Sequence, residues 1–431
     1  MRTNQFKQVD WIRTANVYEV NIRQYTPEGT LVAFLPELAR LRDMGIQILW
    51  FMPLTPISQK NRKGILGSPY ACSDYTAINP EFGTAANFTD LVIQAHSMGF
   101  KVIIDWVANH TGWDHVWTIE HPDYYKRDPV THDFKIASGM EDIIELDYQH
   151  PGLREAMIKA MQYWVSRFDI DGFRCDLASW VEADFWLQAR AVLEKTKPLF
   201  WLGEFDPLEA PAYLESFDAA YTWTWMHKTA DFYSGKTNLE TLKTILHQYG
   251  EICSNGNMPL WFTSNHDENS WNGTEYEKYG KMTRSLAVFS FTWNGLPLVY
   301  SGQEAPNTKR LEFFEKDTIA WGNSFTLHEF YKILLSLKKR NPALQGGDKN
   351  SHIYELEIPV NMQCLGYSRK CGKDEVLVLL NWGNERISLQ PDTSLFSCTW
   401  YDVFEGREVQ FSAGKDIELE PWEFLVLEKY T

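Results

Sequence analysis

The first three quarters of the chain alternate between short apolar runs and stretches with helical spacing. The runs are rich in β-branched and aromatic residues, and this alternation is typical of parallel βα units. Eight runs predict strands, at Val17–Ile22, Ile46–Met52, Lys101–Trp106, Gly172–Leu177, Leu199–Gly203, Phe217–Thr222, Leu260–Ser264 and Leu296–Tyr300. Two stretches between them carry apolar residues on one helical face. The first has Phe34, Leu35, Leu38 and Leu41 and ends before Gly45. The second has Leu153, Met157, Met161, Trp164, Val165 and Phe168. Eight such units favour a closed (β/α)8 barrel over an open sheet.

Two parts of the chain depart from this alternation. The segment from Thr111 to Asp147 is longer than one helix needs and is rich in Trp, His, Asp and Tyr. It predicts a small subdomain inserted after the third strand. After Asn341-Pro342 helical periodicity gives way to short strands with turn signals, at Cys364–Arg369, Glu375–Leu380, Ile387–Leu389 and Phe424–Leu427. We therefore predict a barrel domain over 1–342 that includes the insertion 111–147, and a C-terminal β-sandwich over 343–431.

Composition limits the partners. A net charge of −16 disfavours nucleic acid and anionic membranes, which bind basic surfaces, although it also serves solubility alone. The aromatic content of 15% suits sugar faces, although most aromatic rings fill protein cores. Six cysteines lie scattered without metal-ligand spacing, which argues against zinc. Because the N-terminus lacks an apolar segment, we expect a cytoplasmic protein without a membrane span, or a periplasmic or secreted one if a signal peptide was removed.

Polar side chains follow four of the predicted strands. The third strand runs into Asp105 to His110, the fourth ends at Asp176, and the fifth ends with Gly203-Glu204. The seventh is followed by Asn265-His266-Asp267. Because barrels of this class place their chemistry at the carboxyl ends of strands, these residues are expected at one rim. A single carboxylate at a strand end is more often a solvated loop acid, but several on one rim indicate a site.

Paired carboxylates facing a cleft suit glycoside hydrolysis, in which one group donates a proton and the other attacks or activates water. Arg174 lies two residues before Asp176 on the same strand face, so it can hold that carboxylate ionised. A purely structural ion pair at the barrel rim is the alternative interpretation of Arg174.

These segments resemble the short signature regions of the α-amylase family of glycoside hydrolases, in the family's order and on the expected strands. The four strand-end segments are its main signatures. Three further segments also resemble family motifs, namely Ser68-Pro69-Tyr70 through Asp74-Tyr75, Asn79 to Thr84, and Gly295-Leu296-Pro297 through Tyr300 to Glu304. The resemblance extends from about Asn16 to Pro342. The C-terminal segment resembles the family's β-sandwich domain only in position and pattern.

The resemblance implies a role for each matching residue. Asp176 matches the nucleophile, Glu204 the general acid/base, and Asp267 the acid that binds sugar hydroxyls in the transition state. Arg174, His110 and His266 match residues around the cleaved sugar, and Tyr70 matches the ring that stacks under it.

The calcium pattern of the family is incomplete here. Many members have Lys-His just after the nucleophile segment, where this chain has Ser179-Trp180. Glu145 stands where the family has an aspartate, and Asn109 matches a calcium ligand but could equally cap its loop. The loop Tyr25–Gly29 offers few oxygen ligands. We therefore assign no metal ligand and expect no required cofactor, with bound Ca²⁺ left open.

The sequence thus predicts a retaining hydrolase of α-1,4-linked glucans or maltooligosaccharides. One alternative is a glucanotransferase of the same family, in which a second sugar replaces water and the site residues are the same. The other is a non-catalytic sugar-binding relative, which is disfavoured because the three acids and both histidines are present. Oligomeric state, chain-length preference and endo or exo action are left open by the sequence.

Overall fold

The computed structural model describes residues 6–322, 325–359 and 362–429. Eight parallel strands form a closed barrel, as predicted, and their bounds are Val17–Val20, Ile48–Phe51, Lys101–Val107, Gly172–Asp176, Phe200–Gly203, Ala219–Tyr221, Met258–Trp261 and Leu296–Tyr300. Each strand pairs with its neighbours in chain order, and Val17 pairs with Leu298 to close the ring. In the text below these are the first to eighth barrel strands.

Strand ends differ from the predicted ones by a few residues. The first strand stops at Val20 because residues 22–25 form a helical turn. The seventh ends at Trp261 rather than Ser264, because its pairing with the eighth strand stops there. Periodicity marks which residues are apolar but not where the ladder stops.

Helices surround the barrel. The α-helices are Ile22–Tyr25, Leu31–Phe34, Glu37–Met44, Ala85–Ser97, Trp117–Glu120, Pro151–Phe168, Ala183–Leu193, Trp223–Tyr233, Leu239–Ile252, Glu275–Tyr279, Thr283–Thr292 and His328–Arg340. Short 3-10 helices are Asp10–Thr14, Pro122–Tyr124, Ala178–Trp180, Pro211–Glu215, Gly280–Met282, Pro342–Leu344 and Thr393–Ser397, and Glu268–Asn272 is a π-helix. No helix among these described residues is long and apolar enough to cross a membrane.

Inside the barrel, side chains change from apolar to charged along the first, third and fifth strands. Because strand residues alternate between faces, every second residue points inward. Val17, Ile103 and Leu202 belong to the apolar cluster inside the barrel. The residues two positions later are Glu19, Asp105 and Glu204, all of them buried. The apolar layers therefore support a charged layer at the carboxyl rim.

A small three-stranded antiparallel sheet lies between the third and fourth barrel strands, with strands His110–Gly112, Ile136–Ala137 and Met140–Glu145. Its first strand begins three residues after the third barrel strand, so the sheet stands directly on the rim. This is where the sequence predicted an insertion.

The C-terminal part is antiparallel, as predicted. A six-stranded sheet has the order His352–Glu355, Cys364–Cys371, Asp374–Asn381, Phe424–Lys429, Trp400–Asp402 and Arg407–Val409, and a two-stranded sheet pairs Ile387–Leu389 with Ile417–Leu419. Four of these strands were not predicted, because strands of three or four residues with mixed exposure carry little alternation. The domain boundary at residue 342 stays a prediction.

One glycine sets the distance between the strands that carry the central carboxylates. Gly172 opens the fourth strand opposite Phe200 of the fifth. A Cβ atom at Gly172 would lie 2.1 Å from the Phe200 carbonyl oxygen, which is far inside van der Waals contact. The two strands can approach this closely only because residue 172 has no side chain.

We expect Gly172→Ala to lower the free energy of unfolding by about 1–3 kcal/mol, because the backbone must move to admit the methyl group. Gly250→Ala is the matched control, since a Cβ there meets no atom within 4 Å and Ala favours the helix Leu239–Ile252. Denaturant unfolding of both variants measures the difference. Equal stability of the two variants would contradict the steric account.

Candidate active site

The carboxylates of Asp176 and Glu204 lie side by side at the carboxyl rim of the barrel. Asp176 is the last residue of the fourth strand, and Glu204 directly follows the fifth. The two strands are paired there, with Cys175 opposite Gly203, and the backbone N–H of Glu204 donates to the Cys175 carbonyl at 2.9 Å. The sequence placed both acids on one rim, and the strand pairing makes them neighbours.

Arg174 is the central charge of the site and is fully buried. Its Nη1 donates to Asp176 Oδ1 at 3.0 Å and to Asp105 Oδ1 at 3.1 Å. Its Nη2 lies 2.9 Å from Glu204 Oε2, as a close ion pair without hydrogen-bond alignment. One guanidinium therefore holds three carboxylates from the third, fourth and fifth strands.

Asp105 was not assigned a role from the sequence. Its side chain is fully buried and accepts hydrogen bonds from Trp50 Nε1 at 3.2 Å, the Tyr70 hydroxyl at 3.0 Å and Arg174. It pairs directly with Arg174 across the third and fourth strands. The available signal was a carboxylate within the apolar run Lys101–Val107, which is costly unless the group is paired.

Burial raises the pKa of Asp176 to about 7 although Arg174 lowers it, and burial likewise raises the pKa of Glu204 to about 7. The expectation that Arg174 alone would keep Asp176 ionised was therefore too simple. Since three acids compete for one guanidinium, burial outweighs the share of positive charge that each receives. Such a group of acids retains a proton near neutral pH, as a general acid requires.

His266 is held in its charged form. Burial opposes this, but Asp267 and Glu19 raise the pKa of His266 well above its usual value. As an imidazolium it donates through Nδ1 to Glu19 Oε1 at 2.5 Å, and its Nε2 lies 2.7 Å from the Tyr70 hydroxyl. Glu19, buried in the first strand, is a second residue that sequence reasoning missed.

Asp267 lies at the opening of the site, with 37% of its side chain exposed. Burial raises the pKa of Asp267, but the His266 imidazolium 3.3 Å away brings it below the usual range. Asp267 is therefore ionised at neutral pH, and its partial exposure leaves it accessible to a ligand.

His110 is neutral, because burial lowers its pKa to about 4. The Asn109 amide lies 3.3 Å from His110 Nδ1, which assigns the proton to Nε2. Among the described residues Nε2 has no hydrogen-bond partner although it is buried. His110 therefore keeps a buried N–H donor beside the carboxylates.

A cleft of about 380 Å³ opens over these groups, and it is lined by Lys63, Ser68, Tyr70, His110, Met140, Asp142, Ile143, Asp176, Leu177, Glu204, Asp267, Trp271, Phe313 and Phe314. Five of the seven predicted site residues line it. Arg174 and His266 instead lie buried beneath it, where they hold the carboxylates and Tyr70. The structure thus brings all seven predicted residues together, five in the wall of the cleft and two directly beneath it.

The residues at the family's calcium position do not fit a cation. Glu145 accepts a hydrogen bond from Lys126 at 2.7 Å and lies 2.7 Å from Lys135, on its other carboxylate oxygen. Burial opposes ionisation of Glu145, but the two lysines lower its pKa. Two ammonium groups thus occupy the oxygens that a calcium ion would need. Asn109, the other matching residue, contacts His110 Nδ1 through its amide nitrogen, so its Oδ1 is the one oxygen that it could offer to a cation.

Leu177 connects the two central acids through its backbone. It follows Asp176 with a φ of 41°, a left-handed conformation that costs energy for a bulky residue. Its N–H donates to Glu204 Oε2 at 2.9 Å. The strained turn therefore fixes the Glu204 carboxylate relative to Asp176.

The chain is similar to known proteins over most of its length. The family model described as "Alpha amylase, catalytic domain" matches residues 4–139 and 123–345. Alpha-amylase 2 of Dictyoglomus thermophilum is 24% identical over 409 residues, which cover 88% of this chain and 67% of the relative. The first four curated relatives are covered over 56% to 70% of their own length.

Two solved structures are similar over nearly the whole chain. An α-amylase from Lactobacillus plantarum has 26% identity and a TM-score of 0.86, with 97% of this chain and 99% of that chain covered. The noncanonic maltogenic α-amylase AmyB from Thermotoga neapolitana has 28% identity, the same TM-score and the same coverage.

We expect exhaustive chelation to change activity by less than about twofold and the thermal unfolding midpoint by less than about 2 °C. The reason is that Lys126 and Lys135 supply the positive charge at Glu145. Activity on soluble starch and thermal unfolding, each with EDTA and after added CaCl₂, test this. Inactivation by EDTA that CaCl₂ reverses would contradict the interpretation of this position.

Proposed function

This chain belongs to the α-amylase family, and we propose that it is a retaining glycoside hydrolase of α-1,4-glucosidic bonds in starch, maltodextrin or maltooligosaccharides. One observation carries the proposal. Asp176 and Glu204 lie at the ends of neighbouring strands, and both contact the guanidinium of Arg174. Two acids held this closely suit direct attack on the anomeric carbon, since retention needs carboxyl groups about 5–5.5 Å apart. Inversion needs a wider gap to admit water.

In the first step, Glu204 gives its proton to the glycosidic oxygen as the bond to the anomeric carbon breaks. An Asp176 oxygen attacks that carbon and forms a covalent glycosyl-enzyme. In the second step, Glu204 takes a proton from water, the resulting oxygen attacks the same carbon, and Asp176 leaves as a carboxylate. Two displacements at one carbon restore its original configuration.

The other predicted residues act on the sugar at the cleaved bond. Asp267 accepts from its hydroxyls, and the Nε2–H of His110 donates to it. Tyr70 is buried, and its ring lies parallel to that of His266, with centroids 5.3 Å apart. We propose that Tyr70 stacks under the sugar and that Arg174 and His266 hold the charges around it. Donors fixed in advance stabilise charge that develops in the transition state.

The proposed site of action is the cytoplasm. All six cysteines are free thiols, which is common in reducing compartments. The alternative reaction is transfer to a second sugar, which needs the same catalytic residues and differs only in what attacks the glycosyl-enzyme.

Glu204→Gln is expected to be nearly inactive on starch but to keep much more activity on α-glucosyl fluoride, because fluoride leaves without a proton. In the unsubstituted enzyme kcat/KM should fall as pH rises through the Glu204 pKa of about 7, since the acid is then lost. That alkaline decline should be absent in Glu204→Gln on the fluoride.

Glu209→Gln, at an exposed position in the loop after Glu204, is the matched control and should retain full activity. An equal loss on starch and on the fluoride in Glu204→Gln would remove Glu204 as the acid.

Hydrolysis of maltoheptaose followed by proton NMR should release the α-anomer first, because two displacements retain the configuration. Chromatography of the same reaction should show products shorter than the substrate. Initial release of the β-anomer would contradict the covalent mechanism. Products longer than maltoheptaose would instead establish transfer as the main reaction.

A further inference from the structure

Glu19 is a buried acid that the proposed reaction steps do not use. It lies on the first barrel strand, paired with Trp50 of the second and Tyr300 of the eighth. Its Oε1 accepts from His266 twice, from the ring Nδ1–H at 2.5 Å and from the backbone N–H at 3.4 Å. Its Oε2 is also buried and has no hydrogen-bond partner among the described residues. Glu19 therefore holds both the ring and the backbone of His266.

Glu19 and His266 depend on each other for their charge. Their side chains are 0% and 2% exposed, and a buried charge that loses its partner is costly enough that the group neutralises instead. Burial lowers the pKa of His266, but Asp267 and Glu19 raise it well above its usual value. Asp267 lies at the opening of the cleft, where its oxygens can turn towards a sugar. Glu19 is sealed inside the barrel, so it is the counter-charge that remains when substrate binds.

The His266 ring is confined by groups from several strands. The Tyr70 ring stacks on it, and the Trp50 ring meets it edge-on with centroids 6.0 Å apart. The titratable and charged groups around the ring are Glu19 and Tyr300 from the first and eighth strands, Tyr70 after the second, Asp105 and Arg174 from the third and fourth, and Asp267 on its own segment. The ring therefore cannot rotate without displacing its neighbours.

The hydrogen bonds of Tyr70 show which way the protons of this group point. The Tyr70 hydroxyl donates to Asp105 Oδ2 at 3.0 Å, and its oxygen lies 2.7 Å from His266 Nε2. Because a hydroxyl has one proton, His266 Nε2 must carry a hydrogen and donate it to the Tyr70 oxygen. A neutral His266 with its hydrogen on Nδ1, towards Glu19, would instead accept from Tyr70 and take that proton away from Asp105. The direction of the whole chain therefore depends on the charge of Glu19.

We propose that Glu19 is a positioning residue of the reaction, which holds His266 doubly protonated and in one orientation so that its Nε2–H points to Tyr70 and Asp267. The inference rests on the proposed hydrolysis. Since the Glu19–His266 pair is neutral overall, it directs hydrogen bonds into the site without adding net positive charge beside a transition state of oxocarbenium character. Tyr70 and Asp267 thus meet the sugar with their donors and acceptors already set.

Glu19→Gln keeps the shape of the side chain and removes its charge. At pH 7 its kcat/KM on soluble starch should fall about tenfold, mainly through kcat, because the fixed donors act on the transition state. The alkaline decline of kcat/KM should begin about one pH unit lower than in the unsubstituted enzyme. The reason is that activity is then lost as His266 gives up its proton within the ordinary histidine range.

A double-mutant cycle tests whether Glu19 acts through His266. In the His266→Gln background, Glu19→Gln should reduce kcat/KM by less than about twofold further, since the group that it positions is gone. Losses that multiply in the double variant would overturn the inference.

The matched control is Glu304→Gln. Glu304 is also fully buried, and it accepts from the hydroxyl of Tyr18, which lies on the opposite face of the first strand from Glu19, and from Arg40. Its loss should lower the thermal unfolding midpoint and leave the pH profile of kcat/KM unchanged. If Glu19→Gln behaves in the same way, Glu19 has a structural role only and the inference fails.

NMR of the protein with ¹⁵N-labelled histidine side chains reads the protonation directly, with His266→Gln assigning the signals. In the unsubstituted protein both ring nitrogens of His266 should stay protonated from about pH 5 to about pH 8, and in Glu19→Gln they should titrate within that range. A neutral His266 ring in the unsubstituted protein would overturn the inference, even if Glu19→Gln does not fold. This measurement needs no substrate, so an enzyme that fails to digest starch contradicts the proposed function, while the NMR signals still decide the role of Glu19.

Discussion

The guanidinium of Arg174 is the interaction on which the rest of the site depends. It is buried inside the barrel and holds Asp105, Asp176 and Glu204 at about 3 Å. A single buried carboxylate would be expensive, and three would repel one another without this charge. Because Arg174 offers one positive charge to three acids, the group holds a proton near neutral pH. The same ion pairs therefore stabilise the rim and prepare the acid.

Parallel strand geometry makes this arrangement possible. Inward residues repeat every second position, so the apolar layers that fill the barrel lead directly to Glu19, Asp105 and Glu204 at its rim. Loops from distant parts of the chain then build the walls of the cleft. The loops that carry Trp271 and Phe313 are held by hydrogen bonds of the Gln24 and Asn269 side chains rather than by the strands, so these walls can vary while the charged centre stays the same.

At Glu145 positive charge stabilises a carboxylate outside the catalytic cleft. Lys126 and Lys135 neutralise this carboxylate, which ends the last strand of the inserted sheet. Unlike a bound metal ion, the lysine ammonium groups are part of the chain, so a chelator does not remove them. The attachment of the inserted sheet to the barrel is thus expected to resist chelation.

The sequence alone determined the eight barrel strands and the acids at their ends, because alternation and strand-end position are local properties of the chain. Through its resemblance to the α-amylase family it also predicted roles for Arg174, Tyr70, His110 and His266, and those roles stay predictions. Only the tertiary structure decided how charge is shared, since Asp105 and Glu19 gain their roles from strands distant in sequence. The net upward shift of the Asp176 pKa, the lysine contacts of Glu145 and the packing of Trp271 on Phe313 likewise depend on which segments meet. Pairwise distances between remote segments fix these properties, and no local pattern records them.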